Sequence, residues 1–377
     1  MTPTARAGLD PEQIERAMVA AGVVGGATSL VGLRAAPIGI GAMADTYRLE
    51  LDWAGPGSAP RSAVVKLPSA DPAAADTAAS LGAYEREVRF YEQFAHEVDV
   101  DVPALLGVVE VDGRRSGLIL EDLTDVAHPL DQMSAAPLAL VRRARDYLAG
   151  LQAPYWNDEA VGSQEWLHRR LGVPIPHIAD RMARSWAVAR ERLAADFPSA
   201  EREVIDRFVP RAAAWAESLS GPFSLTHHDY RFDNMLQGEQ RLLVLDWQTV
   251  GWGVPMFDVA YLLGTSLEPE VRAKVERDEI ARHVAELARR GVDWDLDEAW
   301  HAYRKASFAI LLMLVPPTGS VKQSERSDRM FRRLLSFGAR MAIDLDALEF
   351  LDDVRPQAVG TTDATAAAPQ PQEMEES

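Results

Sequence analysis

The 377-residue chain carries 57 acidic against 39 basic residues, a formal net charge of −18, and is 47% hydrophobic and 25% charged. Such a field repels phosphate backbones, so nucleic acid is not an expected partner; it suits a cationic ligand, although solubility alone accounts for it equally well. The absence of cysteine excludes disulfides, thiolate zinc sites and a cysteine nucleophile, and it fits a reducing, cytoplasmic setting.

The opening residues, Met1-Thr2-Pro3-Thr4-Ala5-Arg6, lack the basic and apolar segments of a secretory signal. Asp10-Pro11-Glu12-Gln13 reads as a helix start, with Asp10 as N-cap, Pro11 at the first helical position and Gln13 closing a capping box. From residue 30 the pattern is that of strands. Tyr47, Leu49, Leu51 and Trp53 alternate with polar residues, the period of a half-buried strand. A Gly/Pro-rich loop over 55–60 leads to a second strand over 62–67, and a helix is expected over 78–94. Residues 105–111 and 118–123 flank Asp112-Gly113 as a hairpin.

After Thr124 the periodicity turns helical, over 137–152, 179–195 and 201–219, the last kinked or restarted at Pro210. Two short apolar segments, 223–226 and 242–245, flank a polar loop, and further helices run to about residue 346. The apolar run 306–315, stopped by Pro316-Pro317, is too short to cross a bilayer and reads as a buried helix, so no membrane association is expected. The tail from 355 has almost nothing to bury and is expected to be disordered. This order predicts an α+β, two-lobed chain. An N-terminal helix and extension (1–29) precedes a small antiparallel-sheet lobe (30–123) with a hinge at 121–124. A larger, mainly helical lobe (124–354) and the tail (355–377) follow.

The chemistry concentrates in His227-His228-Asp229-Tyr230-Arg231-Phe232-Asp233-Asn234, followed by Leu243-Val244-Leu245-Asp246-Trp247-Gln248. Phosphoryl transfer needs a carboxylate to orient the acceptor hydroxyl and take its proton, and hard oxygen ligands to hold Mg²⁺ against nucleotide phosphates. Asp229 and Asn234, five residues apart, can present both groups from one loop, and Asp246 adds a charged ligand from the next strand end. A surface turn rich in Asp and Asn would carry the same letters. Lys66, in Val64-Val65-Lys66-Leu67-Pro68, needs an acidic partner if it is buried; on an edge strand it would face water.

Taken in order, these segments resemble the aminoglycoside phosphotransferases, and particularly their choline- and ecdysteroid-kinase-like relatives, which share the protein-kinase-like fold. The loop matches H-x-D-x-x-x-x-N with a following D-W-Q. Tyr84-Glu85-Arg86-Glu87-Val88-Arg89-Phe90-Tyr91 is similar to the Y-x-x-E-x-x-F-Y helix of that branch. The resemblance covers roughly 38–267 and implies a role for each position. Asp229 is the catalytic Asp, with Asn234 beside it, and Asn234 and Asp246 are the Mg²⁺ ligands. His227 supports the loop. Lys66 contacts the phosphates of ATP (or GTP) and pairs with Glu87, with Glu85 in reserve. Gly39 and Gly41 lie in the nucleotide-covering loop, whose backbone N–H groups near residues 42–44 approach the phosphates. Glu121 and Leu123 belong to the hinge that meets the purine base. Asp258 accepts hydrogen bonds from the catalytic-loop backbone, although its position also suits a helix N-cap. The sequence departs from the family pattern at His228, where glycine is usual, and at Gln152, where histidine is usual. Asp246-Trp247-Gln248 contains no glycine.

The implied activity is transfer of the γ-phosphate of ATP or GTP to a hydroxyl of a small metabolite or drug, by a monomer or homodimer. The alternative is a catalytically weak, pseudokinase-like nucleotide-binding module. An A-P-E-type segment is lacking and the gap from Asp246 to Asp258 is short, which argues against a protein substrate. A two-metal phosphoesterase would need further His and Asp ligands, and a purely structural helical protein would leave the ordered motifs unexplained. The acceptor is not fixed by fold; loops 156–176, 265–268 and 316–326 are expected to select it.

Overall fold

The structure, a computed structural model, describes residues 9–38, 43–134, 136–169, 171–172, 175, 177–319 and 323–356. Gly39 and Gly41 therefore lie outside the described residues, as does the tail from 357 onward.

Helix α1 (Pro11–Ala20) starts as the sequence predicts at its cap, Asp10 accepting from the Glu12 N–H at 3.1 Å. The expected capping box does not form. Gln13 instead donates to the Glu110 carbonyl, 97 residues away, because α1 packs on a neighbouring strand whose backbone group is the stronger claim on that amide. Five strands follow: β1 (Ser29–Pro37), β2 (Ala44–Ala54), β3 (Ser62–Pro68), β4 (Leu105–Val111) and β5 (Arg114–Glu121). They form one antiparallel sheet in the order β1-β2-β3-β5-β4, closed between β4 and β5 by Asp112 and Gly113 at φ 52° and 73°, the left-handed pair a tight hairpin requires.

The pleat of β3 sorts its side chains. Ala63, Val65 and Leu67 enter a small core with Ile14, Met18, Leu49 and Ile119, while Lys66 points to the opposite face. β3 lies between β2 and β5, so the reading of Lys66 as an edge-strand lysine facing water is overturned.

The single helix expected over 78–94 is two, α2 (Pro72–Ser80) and α3 (Ala83–Gln93). The alanine run gave no sign of a break, but Gly82 adopts φ 64° and redirects the chain. That turn presents α3 to the large lobe: Val88, Phe90, Tyr91 and Phe94 join the large-lobe core, not the small one.

The large lobe is helical throughout its centre. The expected restart at Pro210 is a 3₁₀ turn, Val209–Arg211, between helices Ser199–Phe208 and Ala212–Ser218. The apolar run near 306–315 is the 3₁₀ turn Ala306–Phe308 leading into the buried helix Ala309–Leu314. Among the described residues no helix is long and apolar enough to cross a membrane. Two three-stranded sheets of very short strands frame the polar loop. Ser224–Thr226 pairs with Gly251–Gly253, and Met235–Gly238 lies between Leu242–Val244 and Ala127–Pro129.

Helix Leu138–Gln152 passes so close to Asp99 that a Cβ on Gly150 would press into the Asp99 carbonyl. Gly150→Ala is expected to destabilise the chain by about 1–3 kcal/mol despite alanine's better helix propensity. Gly26→Ala, which meets open space, is expected to stay within about 0.5 kcal/mol of the parent; urea unfolding of both variants checks this.

Candidate active site

Lys66 reaches across the gap between the lobes. Its Nζ lies 2.8 Å from a Glu87 carboxylate oxygen on α3 and 2.8 Å from Asp246 Oδ1 in the large lobe. The two carboxylates differ in setting: the Glu87 side chain is 4% exposed, that of Asp246 38%. Burial opposes the charge on Lys66, but Asp246 and Glu87 outweigh it and hold the ammonium above the ordinary lysine pKa. Burial likewise would raise Asp246, yet Lys66 outweighs it and keeps this carboxyl below its usual range. Glu85, the reserve partner, instead pairs with Arg89 at 2.7 Å on the solvent side of α3.

α3 is fixed against the segment after Asp246 by three residues of one face. Glu87 Oε1 accepts from the Trp247 N–H at 3.2 Å, Arg86 Nη1 donates to the Gln248 carbonyl at 2.8 Å, and Phe90 stacks on Trp247 with ring centroids 3.6 Å apart.

The polar loop is not a surface turn: His227 and His228 are fully buried and Asn234 nearly so. Asn234 Nδ2 donates at 2.9 Å to both the carbonyl and Oδ2 of Asp229. Tyr261 donates its hydroxyl to Asp229 Oδ1 at 3.0 Å, and Arg231 Nε lies 3.3 Å from the same oxygen. Burial keeps the Tyr261 phenol well above its ordinary pKa, so it remains a donor. Neither Tyr261 nor Arg231 was singled out from the sequence. Tyr261 lies 32 residues downstream in the mostly apolar helix Met256–Ser266, and no local pattern marks it.

His227 joins the two halves. Its Nδ1 accepts from the Asp229 N–H at 3.2 Å, which leaves Nε2 to donate to the Leu245 carbonyl at 2.9 Å, one residue before Asp246. Burial lowers its pKa, consistent with a neutral ring in that tautomer. The backbone adds another tie, Leu245 N–H to Asn234 carbonyl at 2.8 Å. The structure thus brings Lys66, Glu87, Asp229, Asn234 and Asp246 into one bonded group.

Asp258 is fully buried in the first turn of helix Met256–Ser266, whose N-cap position is taken by Pro255; the N-cap alternative for Asp258 fails. Its carboxyl accepts from the His227 N–H at 2.6 Å and the His228 N–H at 2.8 Å. His228, in place of the usual glycine, takes φ 64°. Its ring lies 3.0 Å from the Thr226 hydroxyl and 3.1 Å from the Thr249 carbonyl. Gly253 makes room for that ring, since a Cβ there would approach His228 Nε2 to 2.6 Å. Gln152, in place of the usual histidine, donates to the Pro255 carbonyl at 3.0 Å and faces His283 Nε2 at 3.0 Å.

At the hinge, Glu121 donates its N–H to the Ala104 carbonyl and the Leu123 carbonyl accepts from Val126 and Ala127. The neighbouring Asp122 was passed over in the sequence. Burial would raise its pKa, but Thr124 and Arg48 bring it down to about 2, and its pair with Arg48 Nε at 2.7 Å ties the hinge to β2.

Asp246 and Asn234 offer the carboxylate and amide oxygens that a hard divalent cation prefers, the Asn234 nitrogen being already engaged by Asp229. Among the described residues no cluster of three or more His, Asp or Glu could hold a metal ion by protein ligands alone. Asp246 and Asn234 would suit a magnesium ion that drew its remaining ligands from phosphate and water.

The sequence profile of the phosphotransferase enzyme family matches residues 34–304, and the chain belongs to that family. Among solved structures, a Ralstonia eutropha JMP134 protein assigned to the aminoglycoside phosphotransferases is similar at 17% identity and TM-score 0.53, over 92% of this chain and 99% of that one. An ethanolamine kinase of Plasmodium vivax is similar at 11% identity and TM-score 0.49, over 85% of each chain. A gentamicin-bound APH(2")-IIa is similar at 17% identity and TM-score 0.47, over 92% of this chain and 97% of that one. The first of these carries the fold, the two-lobed, protein-kinase-like architecture. No curated protein matches the chain.

Burial pushes the Asp258 carboxyl up to about 7, the two backbone N–H groups opposing it. A folded pKa above the unfolded value of about 3.9 means that stability is fullest below about pH 4 and falls as pH rises through about 7. Asp258→Asn is expected to flatten this part of the stability profile. Urea unfolding of parent and variant at pH 5 and pH 7.5 reads the difference in slope.

Proposed function

We propose that the chain is a small-molecule kinase that transfers the γ-phosphate of ATP, or of GTP, to a hydroxyl of a small acceptor. The observation that carries this reading is the junction at Lys66, where one ammonium meets Glu87 from α3 and Asp246 from the large lobe, beside the bonded pair Asp229–Asn234.

Lys66 would hold the nucleotide phosphates, and Glu87, being buried, would keep the ammonium in place when Asp246 turns to other work. Asn234 Oδ1 and Asp246 would hold Mg²⁺, which when bound neutralises charge on the phosphates. Asp229 would accept a hydrogen bond from the acceptor hydroxyl. As the new acceptor O–P bond forms and the bond to the β-phosphate oxygen breaks, the hydroxyl proton passes to Asp229 and the nucleoside diphosphate leaves. Tyr261, Asn234 and Arg231 fix both oxygens of that carboxylate, so little reorganisation is needed at the moment of transfer. Asp258 and His227 act on the loop that carries Asp229, and not on substrate. Glu121 and Leu123 would meet the purine through backbone groups.

Asp229→Asn is expected to lower turnover at least about a hundredfold while nucleotide affinity is kept, since the group serves the acceptor. Phosphate transfer at parental rate in that variant would remove Asp229 from its role. Asp246→Ala is expected to weaken magnesium-dependent ADP binding more than Asn234→Ala does, because it removes the charged ligand. Calorimetry with and without magnesium checks this, and metal-independent binding of equal strength in all three proteins would contradict the assignment.

A further inference from the structure

One buried side chain outside the site bonds to both of the elements that converge on Asp229. Strand Ala127–Pro129 runs antiparallel to Met235–Gly238, with Pro129 opposite Leu236, and the pairing continues where the Leu130 N–H donates to the Met235 carbonyl at 3.1 Å. That register carries the chain back along the end of the catalytic loop and sets Gln132 beside Phe232 and Asp233. Gln132 is 1% exposed and makes three bonds. Its N–H donates to Asp233 Oδ1 at 2.9 Å, its Oε1 accepts from the Phe232 N–H at 2.9 Å, and its Nε2 donates to the Thr265 carbonyl in helix Met256–Ser266. An N–H on one side and a carbonyl on the other fix which end of the amide is oxygen. Among side chains of this length only an amide sets an acceptor and a donor side by side; a carboxylate or a methionine here would leave a buried backbone group unpaired. The Phe232 N–H opens the 3₁₀ turn Phe232–Asn234, to which Arg231 gives no side-chain cap. Gln132 supplies that cap from 100 residues upstream.

Both partners of Gln132 lead to the same oxygen. Asp233 Oδ2 accepts from Arg231 Nη1 at 2.9 Å, and Arg231 Nε lies 3.3 Å from Asp229 Oδ1. The Asp233 side chain is 21% exposed, and with the Gln132 N–H on its other oxygen it stays turned toward Arg231. From the helix, Tyr261 donates to Asp229 Oδ1 at 3.0 Å, and the Thr265 hydroxyl bonds back to the Tyr261 carbonyl at 2.7 Å. One amide therefore spans the loop that carries Arg231 and the helix that carries Tyr261, and it sets the spacing of the two donors on Asp229. Displacing a reacting group by about 1 Å can cost on the order of a hundredfold in rate.

We propose, resting on the kinase reading above, that Gln132 is a positioning residue for phosphoryl transfer. Through Asp233 and Arg231 on one side, and through the Tyr261 helix on the other, it aims the Asp229 carboxylate at the acceptor hydroxyl.

The test uses the full chain and two variants. Gln132→Glu keeps the shape but sets an oxygen against the Thr265 carbonyl. Asp233→Asn keeps an acceptor for the Gln132 N–H and removes the second charge on Arg231; being partly exposed, it serves if the first does not fold. Arg326→Ala, which removes only the partner of the neighbouring Asp131, controls for general loosening of the segment. Magnesium-dependent ADP release from ATP is measured with water as the acceptor, and ADP affinity by calorimetry. The Arg231 Nε–H is followed by nuclear magnetic resonance, its signal assigned by its loss in Arg231→Lys. In both variants kcat is expected to fall at least about tenfold, with KM for ATP and ADP affinity within about twofold of the parent. The Arg231 signal is expected to move or vanish in both, and the control to match the parent throughout. Parental kcat, an equal loss of kcat and ADP affinity, a control that falls with the variants, or an unmoved Arg231 signal in both variants would each overturn the proposal. The resonance needs no turnover, so it decides even where the parent releases no ADP. A parent that binds no ADP with magnesium strikes the kinase reading instead.

Discussion

One ammonium shared by two carboxylates from different lobes sets the geometry on which the rest depends. Removing a charge from water is costly, and removing one member of a buried pair typically costs about 3–5 kcal/mol because the other is left uncompensated. Lys66 escapes that cost only while Glu87 stays in reach, and Glu87 stays in reach only while α3 is docked. Arg86, Glu87 and Phe90 on α3, all directed at residues 247–248, are thus the means by which a small-lobe lysine is aimed at a large-lobe aspartate. The unequal exposure of the two acids gives the junction a direction. Glu87 is the permanent partner, whereas Asp246, open to water, can exchange the ammonium for another cation without burying a bare charge.

Two of the six described non-glycine residues with positive φ lie where these groups are presented. His228 and Asp246 both hold left-handed conformations, at φ 64° and 63°, without being glycine. Such residues cost on the order of 1 kcal/mol or more each and persist only when neighbours over-determine them. The neighbours are identifiable. Asp258 takes the N–H groups of His227 and His228, Thr249 and Thr226 hold the His228 ring, and Lys66 holds Asp246. The histidine that replaces the family's glycine is held by these bonds, and its ring fills a space that Gly253 leaves open.

The parts legible in the sequence are those encoded by short-range patterns. The apolar segment 62–67 predicts β3 but leaves the face of Lys66 open, Asp112-Gly113 predicts the hairpin, and the five-residue spacing predicts the pair Asp229–Asn234. Partners supplied from far along the chain were not legible. Gln13 matched a capping box locally and was claimed by Glu110 in space. Tyr261 and Gln132 converge on loop 227–234 from elsewhere in the chain, and no local pattern marks either; Arg231 lies inside the loop, two residues from Asp229, but its position alone does not say which carboxylate it meets. Gly82 shows the same limit at the level of secondary structure, since an alanine-rich run favours helix on both sides of it and only its positive φ separates α2 from α3.

Net charge is a weak guide to a ligand for a related reason. The summed charge of −18 suits a cationic ligand, but exposed charges more than about 8–10 Å apart are largely screened at physiological salt. What a ligand meets at the reacting end of the site is set by the few groups within that distance. There Arg231 stands against Asp229, with Tyr261 and Asn234 on the same carboxylate. The acidity of the whole chain governs its solubility and its avoidance of polyanions; the charge beside Asp229 is set locally, by residues that only the folded chain brings together.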